Sequence, residues 1–185
     1  MPDAHSEFET LILPHLQAGY SLARWLLRHP QDAEDAVQEA ALKAFNAFAG
    51  FAGGSPQAWF LAIVRNTCLN LLERRRAAGK VVVLADSKTG LAQQRDLVPD
   101  LAPLADAVLI SEEDRRRVHA AVTALPVQFR EVLILREYHD LSDREIADIV
   151  GAPLGTVMSR LARARERLLR DLGEMPVASE TGTDS

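Results

Sequence analysis

Apolar residues recur at helical spacing through most of the chain, interrupted by turn-rich or polar runs that mark its divisions. Over 7–76, Phe8, Leu11, Ile12, Leu16, Trp25 and Leu26 open a first amphipathic arm that closes at Pro30, and Pro14 is expected to kink or break it. A second helix is expected from Asp32, a favourable N-cap with Glu34 and Asp35 in the first turn. Its inward stripe is Val37, Ala40, Ala41, Ala44, Phe45 and Phe48, and its other face carries Asp35, Gln38, Glu39 and Asn46. The run 49–56 is rich in Gly and ends in Ser55-Pro56, which reads as a loop. Helical periodicity resumes at Gln57 with Phe60, Val64, Cys68 and Leu71 inward and ends at Arg74, Arg75 and Arg76.

Periodicity fades over 77–110, where Gly, Pro and Asp rise, so this stretch reads as a linker despite the apolar Val81–Leu84 run. Ser111-Glu-Glu-Asp114 resembles a capping box and opens a helix to about Ala124. Leu125-Pro126 opens the next, ending near Tyr138. After Leu172 the chain turns polar, and 173–185 is expected to be a disordered tail. The pattern predicts an all-α protein of two small helical domains, 1–76 and 111–172, the second a four-helix unit containing a helix-turn-helix.

The segment 141–160 carries that last expectation. Ser142 and Glu145 form a capping box for a short helix with Ile146, Ile149 and Val150 inward. A steep crossing of two helices needs a small residue at the contact, a turn residue that tolerates positive φ, and an apolar anchor on the second helix. Ala147, Gly151 and Val157 meet those needs. The second helix, from about Pro153 to Leu172, places Val157, Leu161, Ala164, Leu168 and Leu172 on one stripe and Arg160, Arg163, Arg167 and Arg170 on another. Residues near the start of such a helix reach base edges in the major groove. Thr156, Met158, Ser159, Arg160 and Arg163 are therefore the candidate readers, and Arg167 and Arg170 are placed at phosphate or solvent.

Composition narrows the alternatives. Of 185 residues, 48% are hydrophobic, enough for a real core, and only 5% are aromatic. Cys68 is the single cysteine, which excludes an internal disulfide and a zinc site of paired cysteines. The five histidines show no ligand spacing, and there is neither a phosphate-cradling Gly loop nor a nucleophile elbow. We expect no metal, no cofactor and no catalysis. Without a signal-peptide pattern or a span of about 20 apolar residues, the cytoplasm is the expected location. The net charge of −5 sits awkwardly with nucleic-acid binding. However, acidic residues gather in 32–39, 96–114 and the tail, and arginines in 74–76 and 160–170, so local charge is the relevant quantity.

Two stretches resemble one family. Leu125-Pro126, Arg130-Glu-Val-Leu133 and Gly155-Thr-Val-Met-Ser-Arg160-Leu-Ala-Arg-Ala-Arg165 look like the promoter-reading domain of extracytoplasmic-function sigma factors. Asp32-Ala-Glu-Asp-Ala-Val-Gln-Glu39 with Ala58-Trp-Phe-Leu-Ala-Ile-Val-Arg-Asn66 is similar to that family's N-terminal domain. The resemblance implies that Asp32, Asp35, Gln38 and Glu39 grip core RNA polymerase. It implies that the loop at about 50–55, with Gly53 and Ser55, captures a base of the melted downstream promoter element. Trp59, Arg65, Asn66 and Asn70 would touch or support that strand, by the stacking and arginine contacts usual for single-strand capture. Trp59 is equally compatible with a core position. Promoter DNA and an anti-sigma factor are the further partners implied. Met158 and Ala162 depart from the family's common residues, Lys or Arg at the first and His or an aromatic at the second, so base preference does not transfer. A stand-alone helix-turn-helix regulator is the alternative, but it leaves the N-terminal block unexplained.

Overall fold

The computed structural model describes residues 4–79 and 111–174, with side chains over 5–79 and 111–173. The expected linker beyond Gly79 and the expected tail beyond Glu174 lie outside the described residues. Every regular element among the described residues is helical. The N-terminal domain holds α1 (Ala4–Leu11), α2 (Leu16–Leu27), α3 (Pro30–Ala47) and α4 (Pro56–Ala77). The C-terminal domain holds α5 (Glu112–Ala124), α6 (Val127–Glu137), α7 (Asp143–Val150) and α8 (Leu154–Glu174).

Pro14 breaks the first arm as expected, because its ring cannot continue a helix; α1 and α2 are separated by a 3₁₀ turn, Leu13–His15. α2 ends at Arg28, which adopts a left-handed conformation with φ 64° and returns its N–H to the Arg24 carbonyl. The start of α3 differs from the sequence expectation. It begins at Pro30, whose fixed φ suits the first helical position, and Asp32 lies inside the first turn instead of capping it. Among the residues expected inward, Leu11 and Phe45 are exposed, at 37% and 46%. Phe45 lies at the rim, edge-on to Phe8 with ring centroids 5.2 Å apart.

Trp25, Phe60, Leu22, Leu26 and Leu61 fill the centre of the N-terminal domain, and Val132, Ile134, Leu135, Ile146 and Val157 that of the C-terminal domain. The domains are docked, α2 against α6 and α4 against α7. Their buried apolar side chains form one continuous cluster. Burying such side chains contributes about 1.5–3 kcal/mol each relative to exposure, so the helices are held mainly by this packing.

Candidate nucleic-acid and polymerase interfaces

The helix-turn-helix forms as its sequence predicts. The Glu145 N–H donates to Ser142 Oγ at 3.3 Å, and the Ser142 N–H donates to Glu145 Oε2 at 2.9 Å, closing the capping box. Those bonds from Ser142 hold the Glu145 carboxyl below its ordinary range. Gly151 ends α7 with φ 64°, a backbone that a side chain would strain. Val157, Leu161 and Ala164 then seat α8 in the core.

That seating decides which side chains of α8 point outward. Met158, Ser159, Arg163 and Arg167 are exposed on α8, and Thr156 is half-buried. Ser159 donates to the Thr156 carbonyl at 3.0 Å, so its hydroxyl is already oriented. The Arg167 guanidinium lies 4.9 Å from the Phe129 ring centroid, a cation–π contact that stiffens the side chain. Arg170 donates to Glu166 at 3.2 Å. Arg160 is different: its side chain is only 25% exposed, and its Nη1 lies 3.8 Å from Glu131 Oε1.

In the N-terminal domain, Ser55 caps α4 by accepting the Ala58 N–H at 3.1 Å. Gly53 is exposed with φ 92°, which suits a tight loop open to a ligand. Trp59 is half-buried, its ring 5.2 Å from Phe51 and 6.3 Å from Phe48, so it belongs to an aromatic group beneath the loop. Asn66 and Asn70 are exposed on α4. Arg65 is turned into the other domain: Nε and Nη2 donate to Glu131 Oε2 and Oε1 at 2.8 and 3.1 Å.

Asp35, Gln38 and Glu39 share the exposed face of α3. Glu39 pairs with Lys43 at 2.6 Å, and Gln31 donates to Asp35 at 3.4 Å. Asp32, grouped with them in the sequence, is instead bonded to Arg75 of α4. Beside the acidic residues lies a shallow depression lined by Phe8, Gln38, Ala41, Leu42 and Phe45. Leu42, 67% exposed, and Phe45 extend this face with apolar surface. Periodicity alone misses them, because it assigns Phe45 to the core and gives Leu42 no role. Glu131 was also missed as a contact residue, although it sits in the Arg130-Glu-Val-Leu133 motif.

Comparison with known proteins connects the two halves. The family described as Sigma-70 region 2 matches residues 11–78, and that described as Sigma-70, region 4 matches 115–168. The RNA polymerase sigma-H factor of Pseudomonas aeruginosa is 32% identical over 163 residues, 87% of this chain and 83% of that protein. The chain belongs to the extracytoplasmic-function sigma factors. The ECF RNA polymerase sigma-E factor of Escherichia coli K12 is 36% identical over 140 residues, covering 74% of this chain and 72% of that one. Among solved structures, the sigma factor RpoE of Bartonella quintana, in complex with the anti-sigma factor NepR, superposes with a TM-score of 0.66 at 26% identity. That match covers 92% of this chain and 99% of that one. In this sigma factor region 2 therefore spans α2 to α4, and region 4 spans most of α5 through α8.

Proposed function

We propose that this sigma factor works through three surfaces. Residues 1–76 form the core-binding and melting domain, 77–110 the linker and 111–172 the promoter-reading domain. The exposed face of α3, with Asp35, Gln38 and Glu39 beside Leu42 and Phe45, docks on core RNA polymerase. Asp32 supports that face from behind through Arg75. Gly53, Ser55, Trp59, Asn66, Asn70 and Arg65 receive the melted downstream element. Thr156, Met158, Ser159, Arg160 and Arg163 read the upstream element in the major groove, and Arg167 contacts phosphate.

The observation that carries this reading is the division of α8. Val157, Leu161 and Ala164 bury one stripe, which leaves Met158, Ser159 and Arg163 outward on the half of the helix nearest its N-terminus. That half enters the major groove in helix-turn-helix proteins. Local charge removes the difficulty of the acidic chain, because Arg163 and Arg167 give this face the positive charge a phosphate backbone requires.

An anti-sigma protein is the proposed control, since the RpoE relative is solved with one bound. The protein acts in the cytoplasm and performs no catalysis of its own; among the described residues no helix is long and apolar enough to cross a membrane. Transcription in vitro by purified core polymerase on a genomic library, with and without this chain, tests the assignment. Start sites that depend on the chain are expected. A duplex footprint without polymerase and no chain-dependent transcripts would support a stand-alone regulator instead.

A further inference from the structure

A large apolar side chain left in water forgoes the free energy of burial, and α8 carries two of them at its start. Met158 is 55% exposed and Leu154 46%. They are four residues apart, and exposed Ala162 is four residues further on, so the three form one apolar row along the helix. This row is separate from the stripe of Val157, Leu161 and Ala164 that seats α8 in the core.

Charge and backbone point to what covers the row. From Leu154 to Arg165 the helix carries Arg160, Arg163 and Arg165 and no acidic residue. Arg165 is held by Glu137 and Arg160 lies beside Glu131, which leaves exposed Arg163 to meet an anionic surface on this half of the helix. Gly155, one turn before Met158, is exposed, and a Cβ there would meet nothing within 4 Å. Glycine weakens a helix relative to alanine, and neither packing nor a positive φ requires it here. Its bare backbone leaves clear space beside Met158 for a surface that approaches α8 closely. A DNA duplex supplies both chemistries: phosphates for the arginine and, in the major groove, the 5-methyl group that distinguishes thymine.

The polar residues on the same half of α8 are restrained. Ser159 already donates to the Thr156 carbonyl at 3.0 Å, Thr156 is half-buried, and the Arg160 side chain is only 25% exposed. Hydrogen-bond reading therefore falls mainly to Arg163, and apolar contact is left to recognise a second base. We propose that Met158 recognises the 5-methyl group of a thymine in the upstream promoter element, flanked by Leu154 and Ala162. The proposal deepens the functional reading above and rests on it for the position of α8 in the major groove. Methionine suits the task, since its unbranched, polarisable chain adapts to a methyl group at a base edge. Met158 and Arg163 are about 7.5 Å apart along the helix axis, about the rise of two base pairs, so they reach different pairs.

Deoxyuridine tests this, because it keeps every hydrogen-bonding group of thymine and lacks only the methyl. Holoenzyme assembled from core polymerase and the full chain first selects its duplexes from a random library. Thymines of the upstream element are then replaced singly by deoxyuridine, and equilibrium binding is measured for holoenzyme carrying the native chain, Met158→Ala, Met158→Leu or Arg163→Ala. One replacement is expected to weaken native binding about fourfold, the effect of one buried methyl group. Met158→Ala, with unchanged helicity, should bind the thymine and deoxyuridine duplexes alike. Met158→Leu should retain the discrimination, and so should Arg163→Ala, whose loss falls at another base pair. A selected element with no methyl-sensitive thymine, or equal sensitivity in Met158→Ala, would overturn the inference and leave groove reading by α8 standing on Arg163. Loss of core polymerase by Met158→Ala in a pull-down, with methyl discrimination unchanged, would give the row to a protein partner instead. Holoenzyme that selects no duplex would sink the functional reading and this inference with it.

Discussion

Arg75 Nη2 donates to Asp32 Oδ1 at 2.6 Å, fastening the end of α4 to the first turn of α3. The bond from Arg75 is the main reason the Asp32 carboxyl is held below its ordinary range, and the same bond raises Arg75. Asp32 thus separates from Asp35, Gln38 and Glu39, with which its sequence spacing groups it. Asp32→Ala is expected to cost about 0.5–1 kcal/mol, the range of a partly exposed ion pair. Asp35→Ala is expected to leave stability unchanged within about 0.5 kcal/mol, as for other exposed surface substitutions. Urea unfolding of the two variants checks the difference, and equal losses would return Asp32 to the same role as Asp35.

The acidic and apolar halves of the α3 face predict separate losses of polymerase binding. Reversing the charge of Asp35 together with Glu39 is expected to abolish association with core polymerase while circular dichroism stays unchanged, since both side chains point outward. Leu42→Ser should weaken association by about tenfold, the effect of removing one interfacial leucine worth about 1–2 kcal/mol. A pull-down with purified core enzyme measures both. Normal binding by the Asp35/Glu39 double variant would place the interface elsewhere.

Exposed arginines on α8 differ in position and so should differ in kind. Arg163 lies in the N-terminal half of the helix, whereas Arg170 is near its end and already bonded to Glu166. Arg163→Ala is expected to cost about 1–3 kcal/mol on the preferred upstream element and to flatten discrimination at one base pair. Arg170→Ala should do neither; if it touches phosphate, all sequences weaken alike and the salt slope falls by about one unit. Arg160→Ala has a double consequence, because Arg160 also neighbours Glu131. Its effect on base preference is read in holoenzyme. A binding series over single-base promoter variants and salt concentrations separates these cases.

The all-α architecture and the helix-turn-helix were legible because each rests on local chemistry. Ser142, Glu145 and Gly151 specify a cap and a positive-φ stop within a few residues, and the structure forms both. Asp32 was misplaced as a cap because Pro30 also starts helices well, and its true partner, Arg75, lies 43 residues away in sequence. Phe45 has the right period for the core but falls at the rim, because the short α1 covers only part of the α3 surface. Glu131 was invisible for a related reason: its bidentate partner, Arg65, lies in the other domain, 66 residues away in sequence. Within α6 it reads as an ordinary charged residue. Long-range pairing, rather than helical period, carries this part of the site.

Buried histidines make stability sensitive to mild acid. His139 is 9% exposed, and burial lowers its pKa to about 4 from 6.5. His119, against Trp25, is lowered to about 4 by burial and by Arg24 and Arg28. Both are neutral in the folded protein at pH 5, whereas in the unfolded chain they take up protons below about 6.5. The unfolded state therefore binds more protons between about pH 6.5 and 4, and stability falls as pH falls through that window. From pH 7 to 5 the loss from His139 is about 2 kcal/mol, at about 1.4 kcal/mol per pH unit once well below 6.5. Half-buried His119 adds a smaller loss of the same sign. The depressed carboxyls of Asp32, Glu39 and Glu145 stay ionised here, since their contribution is lost only below the ordinary carboxylate range. Urea titrations at pH 7 and pH 5 on the native chain and on His139→Gln measure the effect. The variant should lose markedly less stability on acidification than the native chain, and an equal loss in both would show that His139 is not the group taking up the proton.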